Sequence, residues 1–289
     1  MAKYGIREIC DVVFKAKGEK QYIGSKQFTT GQPVIYFDSL KTSSLEGAAT
    51  TVYATGGKGN PRLVAWDGER TLTFNMEDAL ISPMGLAILA GAGLINPGDT
   101  GYTSIQRHVT ERIKANSEGA LIFSKKKSTS NKAAVWYGKT IDGNLVEPMK
   151  KAQDGHFSTT EITEGTEKRE VTVLDDDVMT AGDFYIVDYY VDETAANSMT
   201  QIDIDPSKFA GSFYIEGSTL WRDENGQDHP VEIVIPNGKV QSNFTFNMSS
   251  SGDPSTFNFV VDALADYTTF DQTHKVLAAM QVMEETVKL

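Results

Sequence analysis

The sequence predicts a mainly β protein: a β-sandwich or partial barrel with long hairpins and one or two flanking helices. Two observations lead to this prediction. Runs of alternating apolar and polar residues recur along the chain, and turn-forming dipeptides lie between them. At 289 residues, of which 40% are hydrophobic, the chain is long enough to bury a substantial core. This length fits one large domain or two modest ones.

Alternation is clearest at residues 71–76, 231–235, 244–248 and 257–261, where apolar side chains occupy every second position. A strand with one face in a core shows this period of two. Further strands are predicted at residues 11–15, 34–37, 49–54, 62–66, 133–138, 169–174, 184–191, 212–216 and 275–283. Asp-Gly and Asn-Gly dipeptides favour tight hairpin turns. They occur at Asp67-Gly68, Asp142-Gly143, Asn225-Gly226 and Asn237-Gly238.

Two segments show helical signals. In the first, Ser82 can cap the free amides, Pro83 suits the first helical position, and Gly91 or Gly93 can end the helix. Its residues are almost all apolar, so we expect it to pack against a sheet. The second predicted helix covers residues 103–116, in which apolar residues recur every four positions.

A shift in composition suggests an insertion. The run Lys125-Lys126-Lys127 is followed by Ser-Thr-Ser-Asn, and residues 159–170 are rich in Thr and Glu. We therefore predict that residues 1–114 and 171–289 form the N-terminal and C-terminal parts of one β domain. Residues 115–170 are predicted to form an inserted or peripheral segment.

The sequence predicts no catalytic, cofactor-binding or metal-binding residue. The glycines at residues 56–59 lack the Gly-Lys-Ser/Thr ending of a phosphate-binding loop, and the four histidines show no paired spacing. No Gly-x-Ser-x-Gly sequence is present. The single cysteine, Cys10, excludes an internal disulfide and is expected to be a small buried hydrophobe.

Net charge and targeting signals limit the partners. A net charge of −12 argues against tight nucleic-acid binding, which relies on Lys and Arg to neutralise phosphates. The charge is compatible with a surface that repels nucleic acid and with an ordinary solvated acidic surface, which is the more common case. The sequence shows no apolar signal core and no run long enough to span a bilayer, so we expect a protein made in the cytosol, without a membrane partner.

Two stretches resemble bacteriophage tail tube proteins. One is the strand ending in Met-Glu-Asp-Ala-Leu-Ile-Ser-Pro at residues 76–83, followed by the apolar helix. The other runs from Val234-Ile235-Pro236 through Ser242-Asn243-Phe244-Thr245 to Gly252-Asp253-Pro254-Ser255-Thr256-Phe257. The resemblance is clearest over residues 56–93 and 212–283 and does not cover 115–170.

The resemblance implies a structural role. Proteins of this family are β-sandwiches with a flanking helix that form hexameric rings around a shared inner β-barrel. The rings stack into a tube whose commonly acidic lumen holds the tape measure protein and later conducts DNA. It implies a tail tube subunit in the virion tail, assembled in the host cytoplasm, with itself, the tape measure protein, a tail initiator or baseplate and sheath proteins as partners.

One predicted hairpin, over residues 242–264, is the candidate assembly element. Its aromatic residues are expected to face a core, and Thr245, Asn247 and Asn258 are expected to face the lumen or a neighbouring subunit. The predicted assembly residues are Phe244, Thr245, Phe246, Asn247, Phe257, Asn258 and Phe259.

Two alternatives stay open at the level of sequence. The chain could be a baseplate hub, tail terminator or capsid decoration protein, because one fold can serve several virion parts. It could also be a carbohydrate-binding β-sandwich, in which exposed aromatic residues stack on sugars. The three tryptophans are Trp66, Trp136 and Trp221.

Overall fold

The computed structural model describes residues 3–24, 26–130, 134–164, 167–176, 179–196, 198–245, 248, 250–251 and 255–284. These residues form a mainly β fold, as predicted, with one α-helix, α1, at Pro83–Ala90, and a short 3-10 helix at Asp154–His156. The strands are β1 Tyr4–Ile6, β2 Asp11–Ala16, β3 Gln21–Ile23, β4 Lys26–Phe28, β5 Pro33–Phe37, β6 Leu40–Thr55, β7 Arg62–Asp78, β8 Leu94–Ile95, β9 Ile105–Lys114, β10 Leu121–Ile122, β11 Trp136–Ile141, β12 Asn144–Leu145, β13 Lys150–Lys151, β14 Phe157–Glu164, β15 Glu167–Leu174, β16 Phe184–Glu193, β17 Gln201–Ile202, β18 Ser212–Asp223, β19 Asp228–Val240, β20 Phe257–Ala263 and β21 Ala279–Val282.

The chain folds into two compact units. Unit 1 comprises Met1–Ile95 and Gln201–Leu289, and unit 2 comprises Asn96–Thr200. The chain leaves and re-enters unit 1 at one place, because Ile95 of β8 and Gln201 of β17 are direct cross-strand partners. Residues 115–170, predicted as an inserted or peripheral segment, all lie within the wider unit 2.

Unit 1 is built on a nine-stranded sheet. Its strand order is β5-β2-β18-β19-β20-β7-β6, with β1 added to β18 and β21 added to β19. Alternating side chains fill one face of this sheet, and aromatic rings meet edge to face at its centre: Phe37 lies 5.2 Å from Phe14 and 4.8 Å from Phe259 between ring centroids. Phe257 and Phe259 of β20 and Phe74 and Met76 of β7 are buried in the same core.

Helix α1 confirms the first predicted helix. The Ser82 hydroxyl accepts a hydrogen bond from the Gly85 amide at 3.0 Å, Pro83 opens the helix, and Gly91 ends it with φ 62°. Ala87, Ile88 and Leu89 are buried in the unit 1 core, as the apolar composition predicts.

The second predicted helix, over residues 103–116, is wrong, because Ile105–Lys114 is strand β9. It pairs antiparallel with β16 along its whole length. A spacing of four between Ile105, Val109 and Ile113 is also a multiple of two, so it fits a strand equally well. The exposure of β9 alternates residue by residue, as a strand with one covered face requires.

Unit 2 has its own core between two sheets, ordered β12-β11-β16-β9, with β13 paired to β11, and β10-β15-β14. Tyr189, Leu121 and Phe123 are among its fully buried side chains. Tyr189 donates a hydrogen bond to Glu111 at 2.8 Å, and burial, the main cause, raises the pKa of Tyr189 to about 12. Unit 2 therefore packs as a sandwich with a satisfied polar group inside it.

Two of the four predicted turns are confirmed. Asp142 and Gly143 take φ values of 49° and 85°, and Gly226 takes 78°. The other two dipeptides lie inside strands. In β7, Gly68 and Glu69 together oppose the single residue Thr50, which makes a β-bulge. Gly68 fits there because a Cβ would come within 2.4 Å of the Thr50 hydroxyl.

The last dipeptide, Asn237-Gly238, lies in β19, where Gly238 pairs with Phe213 and Ala263 on its two sides. A glycine inside a strand often marks a bulge or a close approach of neighbouring atoms, and a Cβ at Gly238 would lie 2.5 Å from Ile215 Cδ1. The segments 49–54 and 62–66 likewise prove to be parts of longer strands, and the last predicted strand is only Ala279–Val282.

Candidate assembly surface

The largest local feature of unit 1 is the hairpin of β6 and β7, here called the long hairpin, residues 40–78. Its strands have 16 and 17 residues and pair antiparallel from Leu40 opposite Asp78 to Thr55 opposite Arg62. The glycine-rich segment 56–61 closes it. There the Gly56 amide donates to Pro61 O at 3.2 Å and the Asn60 amide donates to Gly57 O at 3.1 Å. The glycines thus form a turn and not a phosphate cradle.

The long hairpin has two different halves. Near its base, Phe74 and Met76 of β7 are buried in the core, and residues 73–78 pair with β20. Beyond that point, residues 46–53 and 62–71 are exposed on both faces. Within unit 1 this outer half has no packing layer of its own.

Apolar side chains are concentrated on the outer half. Val52 and Trp66 are direct cross-strand partners, 62% and 55% exposed, and Leu63 is 63% exposed. On the other face, the Arg62 guanidinium lies 4.0 Å above the ring of Tyr53. Apolar residues exposed on a two-stranded ribbon are typical of an interaction surface.

The outer edge of β6 is open. In the part of the chain that the structure describes, β6 pairs with β7 alone. Natural proteins protect a long edge strand with charges, Pro or bulges. The 16 residues of β6 contain no Pro and only two charged residues, Lys41 and Glu46. The bulged residue in β6 itself is Lys41, at the base of the hairpin, and the two bulges of the outer half have their extra residue in β7. This strand is thus suited to backbone pairing with another chain.

The side of the sheet opposite the core is polar where β6, β7 and β20 meet. Asn258 lies opposite Glu77, which lies opposite Thr42. The hydroxyls of Thr256 and Thr42 both donate to the Glu77 carboxylate, the latter at 3.2 Å. The hydrogen bond from Thr256, the largest cause, lowers the pKa of Glu77, so this carboxylate stays charged near neutral pH.

The predicted hairpin of residues 242–264 is only partly as expected. Phe257 and Phe259 are buried in β20, and Asn258 is exposed on the opposite face. Phe244 packs, half-buried, against the core, and Thr245 is exposed, but neither lies in a strand.

The strand predicted at residues 244–248 is therefore wrong in its described part. The β19–β20 pairing runs in the register that would bring Phe244 opposite Phe257, but it is strand-like only as far as Val240 opposite Val261. Beyond it the Gln241 amide donates to the Val260 carbonyl at 2.8 Å, and residues 241–245 are not in a strand. Phe246, Asn247 and the predicted Gly-Asp-Pro turn lie outside the described residues. The assembly role of these residues stays a prediction.

Sequence reasoning missed the long hairpin. Its strands were predicted as separate pieces because Asp67-Gly68 resembles a turn, although the alternation continues through that point into residues 71–76. The useful signal was the glycine-rich segment 56–60 between two β-rich runs, which marks the tip of the hairpin.

Among the described residues, no group of three or more His, Cys, Asp or Glu side chains could hold a metal ion. Cys10 is buried, and burial, the main cause, raises the pKa of its thiol. In those same ranges no helix is long and apolar enough to cross a membrane.

A comparison with protein families gives one match. The model of the YomU/Tube protein family matches residues 6–277, which covers nearly the whole chain and both units. No curated protein matches the sequence.

Proposed function

We propose, from the premise that this chain belongs to the YomU/Tube protein family, that it is a phage tail tube subunit that assembles into stacked hexameric rings forming the DNA conduit. The family description supports a phage tube-like structural protein. The rings, their number of subunits and the conduit are the proposal. In this role the protein acts by assembly and carries out no catalysis.

One observation carries the proposal: in the described residues the long hairpin has an unpaired β6 edge and an outer half with exposed apolar side chains. An edge of one copy and a strand of the next can extend one sheet through backbone hydrogen bonds. The second edge of the unit 1 sheet is β5, so each copy offers two different edges. Such head-to-tail pairing closes into a ring when the rotation per subunit allows it.

The polar side of the sheet suits the inner wall of a conduit. It presents hydroxyl, amide and carboxylate groups, including Asn258, Glu77, Asp262 and Thr42, and the whole chain has a net charge of −12. Carboxylates repel phosphates, so DNA would pass this surface without binding to it. The partners in this role are other copies of the chain, the tape measure protein, a tail initiator or baseplate and sheath proteins, in a virion tail assembled in the host cytoplasm.

The test is a double substitution on the outer half of the long hairpin, Val52→Lys with Trp66→Lys. Both side chains are exposed, so the free subunit should keep its fold and its thermal midpoint. Burying two lysines at a subunit contact is costly, so rings and tubes should be absent in negative-stain micrographs and in analytical ultracentrifugation.

The matched control is Tyr22→Lys with Ile204→Lys, which adds the same charge at equally exposed apolar positions of unit 1 outside the hairpin. The control should assemble as the unmodified protein does. Tubes formed equally well by the hairpin variant would show that the hairpin is not the contact. An unmodified protein that stays monomeric at every concentration, with or without a tail initiator, would refute the proposed function.

A hub, terminator or decoration protein could use the same edges, and copy number separates these roles. A tube subunit is present in many rings per virion, whereas a hub or terminator forms one or two. Quantitative mass spectrometry of purified virions measures this ratio directly.

A further inference from the structure

The outer face of the four-strand layer β13-β11-β16-β9 in unit 2 has a composition that the tube role does not explain. The inner face of this layer is filled by Tyr137, Val187 and Tyr189, which are buried. The intervening residues therefore point outward. One cross-strand row on the outer face consists of Lys151, Trp136, Asp188 and Thr110.

Two aromatic residues stand on this face. Trp136 is 43% exposed and Tyr190 is 38% exposed. Trp136 lies opposite Asp188, so Trp136 and Tyr190 occupy diagonal positions on adjacent strands. Diagonal positions are about 7–8 Å apart, close enough for one extended ligand to contact both rings.

Hydrogen-bonding groups lie between and beside the two rings. The Asp188 Oδ2 atom lies 2.8 Å from His108 Nε2 and accepts a hydrogen bond from the Thr110 hydroxyl at 3.4 Å. The His108 ring lies 5.4 Å from the Tyr190 ring between centroids, tilted by 58°. These contacts fix the positions of a carboxylate, an imidazole and a hydroxyl next to the aromatic surfaces.

We propose that this face binds a glycan of neutral pyranose sugars, through stacking on Trp136 and Tyr190 and through hydrogen bonds to Asp188, His108 and Thr110. A pyranose has an apolar C–H face that suits an aromatic ring and a rim of hydroxyls that suits these polar groups. This site is independent of the proposed tube function.

The composition of the face favours a glycan over other ligands. A protein interface has an apolar centre depleted of charge, whereas here the charged Asp188 lies directly beside Trp136. Single-stranded nucleic acid also stacks on aromatics but needs a basic groove. The basic residues Arg112 and Lys114 of this face lie over the Phe184 ring, four residues along β16 from Asp188. The group between Trp136 and Tyr190 is the Asp188 carboxylate, which disfavours a polyanion there.

The test is isothermal titration of the full-length protein with cellohexaose, chitohexaose, maltohexaose and xylohexaose. At least one should bind. Trp136→Ala should weaken that binding by about tenfold or more, and Trp136→Phe should weaken it less because a ring remains. Asp188→Asn should also weaken it while keeping the shape of the side chain.

Trp66→Ala is the matched control, because it removes an exposed tryptophan from unit 1 and should leave glycan affinity unchanged. Circular dichroism establishes that each variant is folded. The proposal is overturned if none of the four hexasaccharides binds, or if Trp136→Ala leaves binding intact. Oligothymidylate binding that is lost in Trp136→Ala, without glycan binding, would instead assign the face to nucleic acid.

Discussion

Gly238 shows how a single residue is constrained by its neighbours in the core of unit 1. A Cβ at this position would lie 2.5 Å from Ile215 Cδ1 and 2.7 Å from Val261 Cγ1. We expect Gly238→Ala to lower the free energy of unfolding by about 1–3 kcal/mol, because the core is overpacked. Urea unfolding measures this change.

The control for this prediction is Gly217→Ala, another strand glycine of unit 1. There a Cβ would meet its nearest neighbours at 3.7 Å, an ordinary contact. Equal effects of the two substitutions would contradict the packing explanation.

Glu193 gives unit 2 a defined dependence on pH. Lys125 Nζ lies 3.0 Å and Arg107 Nε 3.1 Å from its carboxylate, and the hydrogen bond from Lys125, the largest cause, lowers the pKa of Glu193. Since the folded pKa lies below the unfolded value of about 4.3, the stabilisation is complete above pH ~4.3 and is lost as pH falls through the folded pKa. We expect Glu193→Gln to lower the thermal midpoint at neutral pH and to reduce its decline in acid.

The comparison for Glu193 is Glu170→Gln. Glu170 pairs with Lys126 at 2.6 Å, but both side chains are about half exposed, so the pair is screened by solvent and should contribute little. A thermal melt series between neutral and acid pH distinguishes the two variants. If the thermal midpoint of Glu193→Gln declined with falling pH as steeply as that of the unmodified protein, the prediction would be refuted.

Elements whose signals are local were predictable, and elements that depend on distant pairing were not. Helix α1 could be predicted because its signals are local. They are the cap at Ser82, the proline in the first turn and the terminating Gly91. For β9, a spacing of four between apolar residues fits both a helix and a strand. Only the pairing of β9 with β16 shows that the segment is a strand. The segment after β19 alternates like a strand, yet the pairing of β19 with β20 ends at Val240 opposite Val261, and residues 241–245 leave the strand.

The candidate site was also only partly predictable. The buried Phe257 and Phe259 and the exposed Asn258 follow from the period of two. The length of the hairpin does not follow from this period. Gly68 permits a β-bulge, and in the sequence the dipeptide Asp67-Gly68 resembles a turn. The exposure of its outer half is a property of the tertiary fold and has no sequence signature.

The polar side of β20 permits a prediction about DNA passage. Asn258 is exposed and points away from the core, so Asn258→Lys should leave the thermal midpoint unchanged. A ring of lysines on an inner wall would attract phosphates, so we expect lower infectivity or slower DNA ejection in phage carrying this variant. Asn225→Lys, in the turn before β19, is the control. Normal infectivity of Asn258→Lys would exclude this face from the lumen.

At the scale of the whole molecule, the two units should be separable. Ile95 and Gln201 are direct cross-strand partners, so an Asn-Gly dipeptide can join them as a tight hairpin in place of residues 96–200. Because unit 1 has its own core, the shortened chain should fold cooperatively, and because it retains the long hairpin, it should still assemble. Circular dichroism melts and electron micrographs test both expectations.

An insoluble or unfolded product would show that unit 1 depends on unit 2. A folded product that no longer assembles would place a necessary contact within residues 96–200. Loss of hexasaccharide binding together with retained tubes is the outcome expected if the two proposals are independent.

The open edge of β6 has a further consequence for how such subunits are stored. In the terms of polymer chemistry, the proposed tube function makes each free copy a monomer that already carries its reactive end, so spontaneous initiation would have to be kept rare. A cell that accumulated the subunit before an initiator was ready would then hold a metastable supply. Under that proposal, the number of finished tubes would follow the number of initiators that draw on this supply.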